Sequence, residues 1–135
     1  MKKYFIFAVL LIIFMSLYGN VFSANEENKQ TNTGPTLSGE VKDGMRIIEV
    51  KASKYKFQPD PIIVKKGEKV RLEVTSEDVA HGLAISDFKV NVVAKKDIVN
   101  TVEFMADKAG DFIIYCSVYC GAGHGNMKGK LKVIE

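Results

Sequence analysis

The chain has 135 residues, 19 of them basic and 16 acidic, with two histidines, two cysteines and no tryptophan. That length leaves room for one domain and an N-terminal address. The net charge of +3 falls to +1 once Lys2 and Lys3 are set aside, so no global field draws in a charged partner and any steering must come from local patches.

Lys2 and Lys3 precede an apolar run from Tyr4 to Tyr18, broken only by Ser16. Small residues follow from Gly19 to Ala24, with Val21 and Ser23 placed for cleavage after Ser23. A charged start, a short apolar stretch and such a site read as a secretory signal. A membrane span wants about 20 apolar residues, and Tyr4 to Phe22 comes close to that. Residues 1–23 are therefore predicted to be a hydrophobic helix, either a signal peptide or a membrane anchor. With Lys2 and Lys3 held inside, everything after residue 23 is expected to be exported, at the outer face of the cytoplasmic membrane or in the periplasm. Residues 24–44 are rich in Asn, Thr, Gly, Ser and Glu and cannot bury enough surface to fold, so they are predicted to be a flexible linker. Residues 45–135 then form one small domain.

Within it, Met45, Ile47 and Glu49 alternate with Arg46, Ile48 and Val50 in an imperfect period of two. Ile62 to Val64 follow Pro61, and Lys66-Gly67-Glu68 makes a turn. Val70, Leu72 and Val74 alternate with Arg71, Glu73 and Thr75, the pattern of a half-buried strand. Val90 to Val93, Val99 to Phe104 and Phe112 to Tyr115 are short β-branched or aromatic runs, the last two separated by Gly110-Asp111. Leu131 and Val133, set among Lys128, Lys130 and Lys132, end the chain as another alternating strand with a solvated lysine face. Many short strands with turn signals and no helical period predict an all-β sandwich or barrel.

The chemistry concentrates in Cys116-Ser117-Val118-Tyr119-Cys120-Gly121-Ala122-Gly123-His124-Gly125-Asn126-Met127. Thiolate, imidazole and thioether together suit a soft metal, copper above all. Gly121, Gly123 and Gly125 free the backbone to bend, so ligands three or four residues apart can converge. Cys120, His124 and Met127 alone show the Cys-His-Met order of a mononuclear blue-copper loop. Cys116 adds a second thiolate, and two bridging thiolates hold two coppers side by side. Each copper then needs an imidazole, and His81 is the one histidine left to supply the second. Phosphate loops, nucleic-acid motifs and hydrolytic triads are missing from the sequence. With both histidines given to a metal, no catalytic residue is assigned.

The loop resembles the CuA loop of cytochrome c oxidase subunit II, Cys-x-x-x-Cys-x-x-x-His-x-x-Met with an upstream His; nitrous oxide reductase carries a similar domain. The similarity extends through Tyr55-Lys-Phe-Gln-Pro-Asp-Pro61, Ser76-Glu-Asp-Val-Ala-His-Gly82 and Ala109-Gly-Asp-Phe-Ile-Ile-Tyr-Cys116, and looks closest to the short, single-anchor form of the subunit. It implies a cupredoxin-type Greek-key β-sandwich whose metal loop joins the last two strands, with His81 opening a strand in mid-chain. It also implies the ligands His81, Cys116, Cys120, His124, Met127 and the backbone carbonyl of Val118. Its implied partners are a heme-copper oxidase catalytic subunit and an electron donor, cytochrome c or a small copper protein. A free or tethered CuA carrier for another reductase, and a copper chaperone, are the competing functions.

Each ligand also has a plainer reading. Cys116 and Cys120 of an exported protein can form a disulfide, and with both histidines they can make a tetrahedral zinc site. Two departures from the family pattern stand out. Val118 replaces the Glu or Gln that many oxidase subunits carry, and Tyr55 and Phe57 are the only aromatics where longer members have a Trp-containing cluster. Tyr119 is a candidate exposed aromatic contact, and Glu77-Asp78 a candidate acidic one.

Overall fold

The computed structural model describes residues 34–135; the predicted N-terminal helix of residues 1–23 and residues 24–33 of the expected linker lie outside the described residues. Ten strands follow in order: β1 (Glu40–Lys42), β2 (Met45–Ser53), β3 (Lys56–Gln58), β4 (Ile62–Lys65), β5 (Lys69–Ser76), β6 (His81–Ile85), β7 (Val90–Ala94), β8 (Asn100–Met105), β9 (Gly110–Tyr115) and β10 (Lys128–Ile134). Two short 3-10 turns, Ser86–Phe88 and His124–Asn126, are the helical elements among the described residues. None of these is long and apolar enough to cross a membrane.

The strands form two sheets, as the all-β sandwich reading expected. One runs β1-β2-β5-β8, with β3 also paired to β2, and the other β4-β10-β9-β6-β7. The chain changes sheet after β3, β4, β5, β7 and β8, so each sheet is assembled from distant segments. Neighbours are antiparallel except β2 with β5 and β4 with β10.

Alternation sets which side chains lie between the sheets. Val70, Leu72 and Val74 of β5 face inward, and so do Leu131 and Val133 of β10. They pack in one buried cluster with Ile48, Val50, Ile62, Val64, Leu83, Ile85 and Ile114. Each such side chain contributes about 1.5–3 kcal/mol by leaving water. Lys128, Lys130 and Lys132 are exposed, as the lysine face was read.

The imperfect period of β2 resolves with Arg46, Ile48, Val50 and Ala52 inward. Arg46 is tolerated there because each of its three guanidinium nitrogens donates a hydrogen bond. Nε and Nη2 donate to the two carboxylate oxygens of Glu68, each at 2.7 Å, and Nη1 donates to the Ser38 carbonyl at 3.0 Å. The stretch assigned to linker up to residue 44 also ends inside the sheet, since Glu40–Lys42 pair antiparallel with Met45–Ile47. All three β1 side chains are exposed, so the strand is held by main-chain bonds and has no apolar signature.

Candidate metal centre

The site forms where three neighbouring strands of the second sheet end together. His81 is the first residue of β6, Cys116 follows the last residue of β9, and Met127 precedes β10. The loop between Cys116 and Met127 is closed at its base by Cys116 N–H donating to the Met127 carbonyl at 3.2 Å. Ser117 N–H donates to the Gly82 carbonyl, also at 3.2 Å, and this ties the loop to the residue after His81.

Inside the loop, successive tight turns curl the chain. His124 N–H bonds to the Gly121 carbonyl, Asn126 N–H to that of Gly123 and Met127 N–H to that of His124, at 3.0–3.1 Å. Gly121 adopts φ +129°, a conformation that disfavours side chains. Gly123 is needed for a different reason, because a Cβ there would run into the ring of Tyr55, which lies across the loop. Gly125 meets neither requirement: a Cβ there would have open space.

All six residues singled out from the sequence come together here. The Cys116 and Cys120 sulfurs stand 3.8 Å apart as free thiols, not a disulfide. His81 Nδ1 lies 4.0 Å from Cys116 Sγ, and His124 Nδ1 lies 3.7 Å from Cys120 Sγ. Met127 Sδ is 3.8 Å from Cys120 Sγ, and the Val118 carbonyl oxygen is 3.1 Å from Cys116 Sγ. The ligand atoms of His81, Cys116 and Cys120 lie within 4.8 Å of one another, a compact set that does not include His124. His81, Cys116, Cys120 and Met127 are buried, whereas His124 is half-exposed beside the Tyr119 ring at a centroid distance of 5.6 Å. Sulfur, imidazole and carbonyl donors converging without a competing carboxylate fit a soft metal such as copper.

Electrostatics favour protonated sulfur until a metal arrives. Burial, with the Cys116 sulfur beside it, pushes the Cys120 thiol up to about 11. A metal ion must therefore displace that proton.

The structure adds two residues whose part at the site the sequence did not reveal. Asp78, read as a surface acid, remains partly exposed, yet its carboxylate reaches the site: Oδ1 is 2.6 Å from His81 Nε2 and accepts Val79 N–H at 2.7 Å, while Oδ2 accepts Lys54 N–H at 2.8 Å. Burial opposes the charge on Asp78, but the hydrogen bonds from His81, Lys54 and Val79 outweigh it and hold the carboxyl at about 2. Ser76 shapes this turn, its Oγ accepting Asp78 N–H at 3.2 Å and donating to the Val79 carbonyl. The signal available in the sequence was the Asp-x-x-His spacing. Tyr55 is the second, and nothing in the sequence showed that its ring covers the metal loop, whereas Phe57 is ordinary core.

Residues 44–134 match the family model described as cytochrome c oxidase subunit II, periplasmic domain. The chain belongs to this family. Within it, cytochrome c oxidase subunit 2 of Thermus thermophilus is 36% identical over 88 residues, covering 65% of this chain and 65% of that relative. The chain thus spans just under two thirds of that relative's length. Nitrous-oxide reductase of Ralstonia nicotianae is 31% identical over 104 residues, which are 73% of this chain and 16% of the reductase. Among solved structures, a chain from a cryo-EM structure of a heme-copper terminal oxidase dimer superposes with a TM-score of 0.63 at 28% identity, covering 98% of this chain and 97% of that one. The two-sheet topology and this superposition carry the cupredoxin-type sandwich from expectation to finding.

Proposed function

We propose that His81, Cys116, Cys120, His124, Met127 and the Val118 carbonyl hold two copper ions as a CuA centre. On this reading the chain is the electron-entry subunit of a heme-copper cytochrome c oxidase. It takes electrons from cytochrome c or a small copper protein at the outer face of the cytoplasmic membrane and passes them to heme in the catalytic subunit. Residues 1–23 direct or anchor it there.

The observation that carries this reading is the division of the imidazoles between the sulfurs. His81 stands against Cys116 and His124 against Cys120, across a sulfur pair 3.8 Å apart. A single tetrahedral zinc would draw its four donors to within about 3.3–3.8 Å of one another, and His124 falls outside the compact set of the other three. Two coppers held by Cys116 and Cys120 would supply a one-electron couple whose charge is shared between them. The chain's own residues keep the cost of that exchange small. Ligands hung on fixed strand ends move little, and the burial of His81, Cys116, Cys120 and Met127 excludes water that would otherwise reorganise. Half-exposed His124 and the exposed Tyr119 ring mark the face through which an electron reaches a docked partner.

Anaerobic loading of the full-length chain is expected to saturate at two coppers, and that of Cys116→Ser at one. Saturation of the wild type at one metal, or of the variant at two, would overturn the ligand assignment. A tagged full-length chain is expected to bring down a heme-copper catalytic subunit from its own membranes; recovery of the chain with copper but without heme would contradict the oxidase role.

A further inference from the structure

We propose that Asp78 is a positioning residue for the metal centre: one carboxylate fixes the ring and tautomer of His81 and, through the Lys54 N–H, seats Tyr55 on the metal loop. The proposal rests on the copper reading above for its consequence, but not for its geometry.

His81 is fully buried, so water cannot orient its ring. Its Nε2 lies 2.6 Å from Asp78 Oδ1, and an ionised carboxylate only accepts, so the ring proton sits on Nε2. Nδ1 is left with a bare lone pair, and that nitrogen is the one facing Cys116 Sγ at 4.0 Å. Without Asp78 the proton is free to move to Nδ1, where it would point at the sulfur pair and block ligation. Ligand histidines are commonly fixed this way by the partner of their second nitrogen, at a value of about 10–100-fold in metal affinity.

The second oxygen acts on the other half of the site. Oδ2 accepts the Lys54 N–H, in the turn between β2 and β3, and the next residue is Tyr55. Tyr55 packs so closely on the loop that a Cβ at Gly123 would collide with its ring and one at Gly121 with its hydroxyl. Asp78 therefore joins the strand that carries one imidazole to the cover over the loop that carries the other. This engages both oxygens while leaving about a third of the Asp78 side chain, 33%, exposed next to exposed Glu77.

The test uses the full-length chain, with histidine labelled with nitrogen-15, first without metal. Wild type is expected to show His81 as a single tautomer protonated at Nε2, and Asp78→Ala a mixture or the opposite tautomer. Asp78→Asn separates the two halves of the proposal. Its amide oxygen can replace Oδ1 and keep the His81 tautomer, but its NH2 then meets the Lys54 N–H, so contacts from the Tyr55 ring to Gly121 and Gly123 should weaken. With copper, Asp78→Ala is expected to bind about 10–100-fold more weakly and at a raised reduction potential, and Asp78→Asn to recover most of the affinity. A folded Asp78→Ala chain with the wild-type tautomer, or an Asp78→Asn chain with Tyr55 contacts intact, would overturn the corresponding half. If Asp78→Ala does not fold, the Asn variant alone decides. Failure of the wild type to take up copper would sink the copper reading, while the metal-free spectra would still judge this one.

Discussion

Met127 and Cys120 sit 3.8 Å apart in the same wall of the site and answer to different physical demands. A thioether is neutral and binds weakly, so Met127→Leu should keep copper bound while raising the reduction potential, because an electron donor to the oxidised site is lost. Voltammetry with a copper assay on the same sample checks this, and loss of the metal would count against an axial role. Cys120 must become a thiolate to serve. With its thiol at about 11, it is protonated throughout the neutral range, and binding releases that proton. Apparent copper affinity should therefore rise with pH from 6 to 9, with protons released on loading, as titration in weakly buffered solution would show. Affinity independent of pH would mean that Cys120 does not ligate. At this scale the sequence was informative because the loop's donors lie within twelve residues of one another. Asp78 was harder to read, since its importance depends on a contact to Nε2 that only folding makes.

Among the elements, β2 shows most clearly what patterning conveys and where it stops. β5 could be read directly, since Val70, Leu72 and Val74 alternate with polar neighbours. β2 could not, because an arginine occupies its inward face and Ile47 lies on the other. Arg46 is buried only because Glu68, 22 residues away, meets it with both carboxylate oxygens. β1 escaped notice because it buries no side chain. The same pair gives a stability prediction. Hydrogen bonding from Arg46 leads the effects that lower the Glu68 carboxyl from its ordinary 4.5. A lowered carboxyl stabilises the fold above its unfolded value, and that contribution is lost as pH falls below about 4.5 and through the folded value. Glu68→Gln, which leaves Arg46 buried without a counter-charge, should cost about 3 kcal/mol at neutral pH. Its deficit against wild type should narrow as denaturation is followed from pH 5 to 3, and a pH-independent deficit would contradict the ion-pair account.

Residues 34–135 form a sandwich that brings the ends of β6, β9 and β10 together, and this explains how the proposed ligands come from separate places in the chain. His81 comes from the opening of β6 and the other five from a single loop, so copper chemistry could be inferred from the loop while the partner histidine followed from family resemblance and from being the only one left. The family match over residues 44–134 spans both His81 and that loop. A CuA centre requires that the two thiolates make one shared site for two metals. Electron spin resonance of the copper-loaded full-length chain tests it most directly. A shared site should give one unpaired electron whose hyperfine pattern shows equal coupling to two copper nuclei. An electron localised on a single copper would contradict it and leave a mononuclear centre in its place.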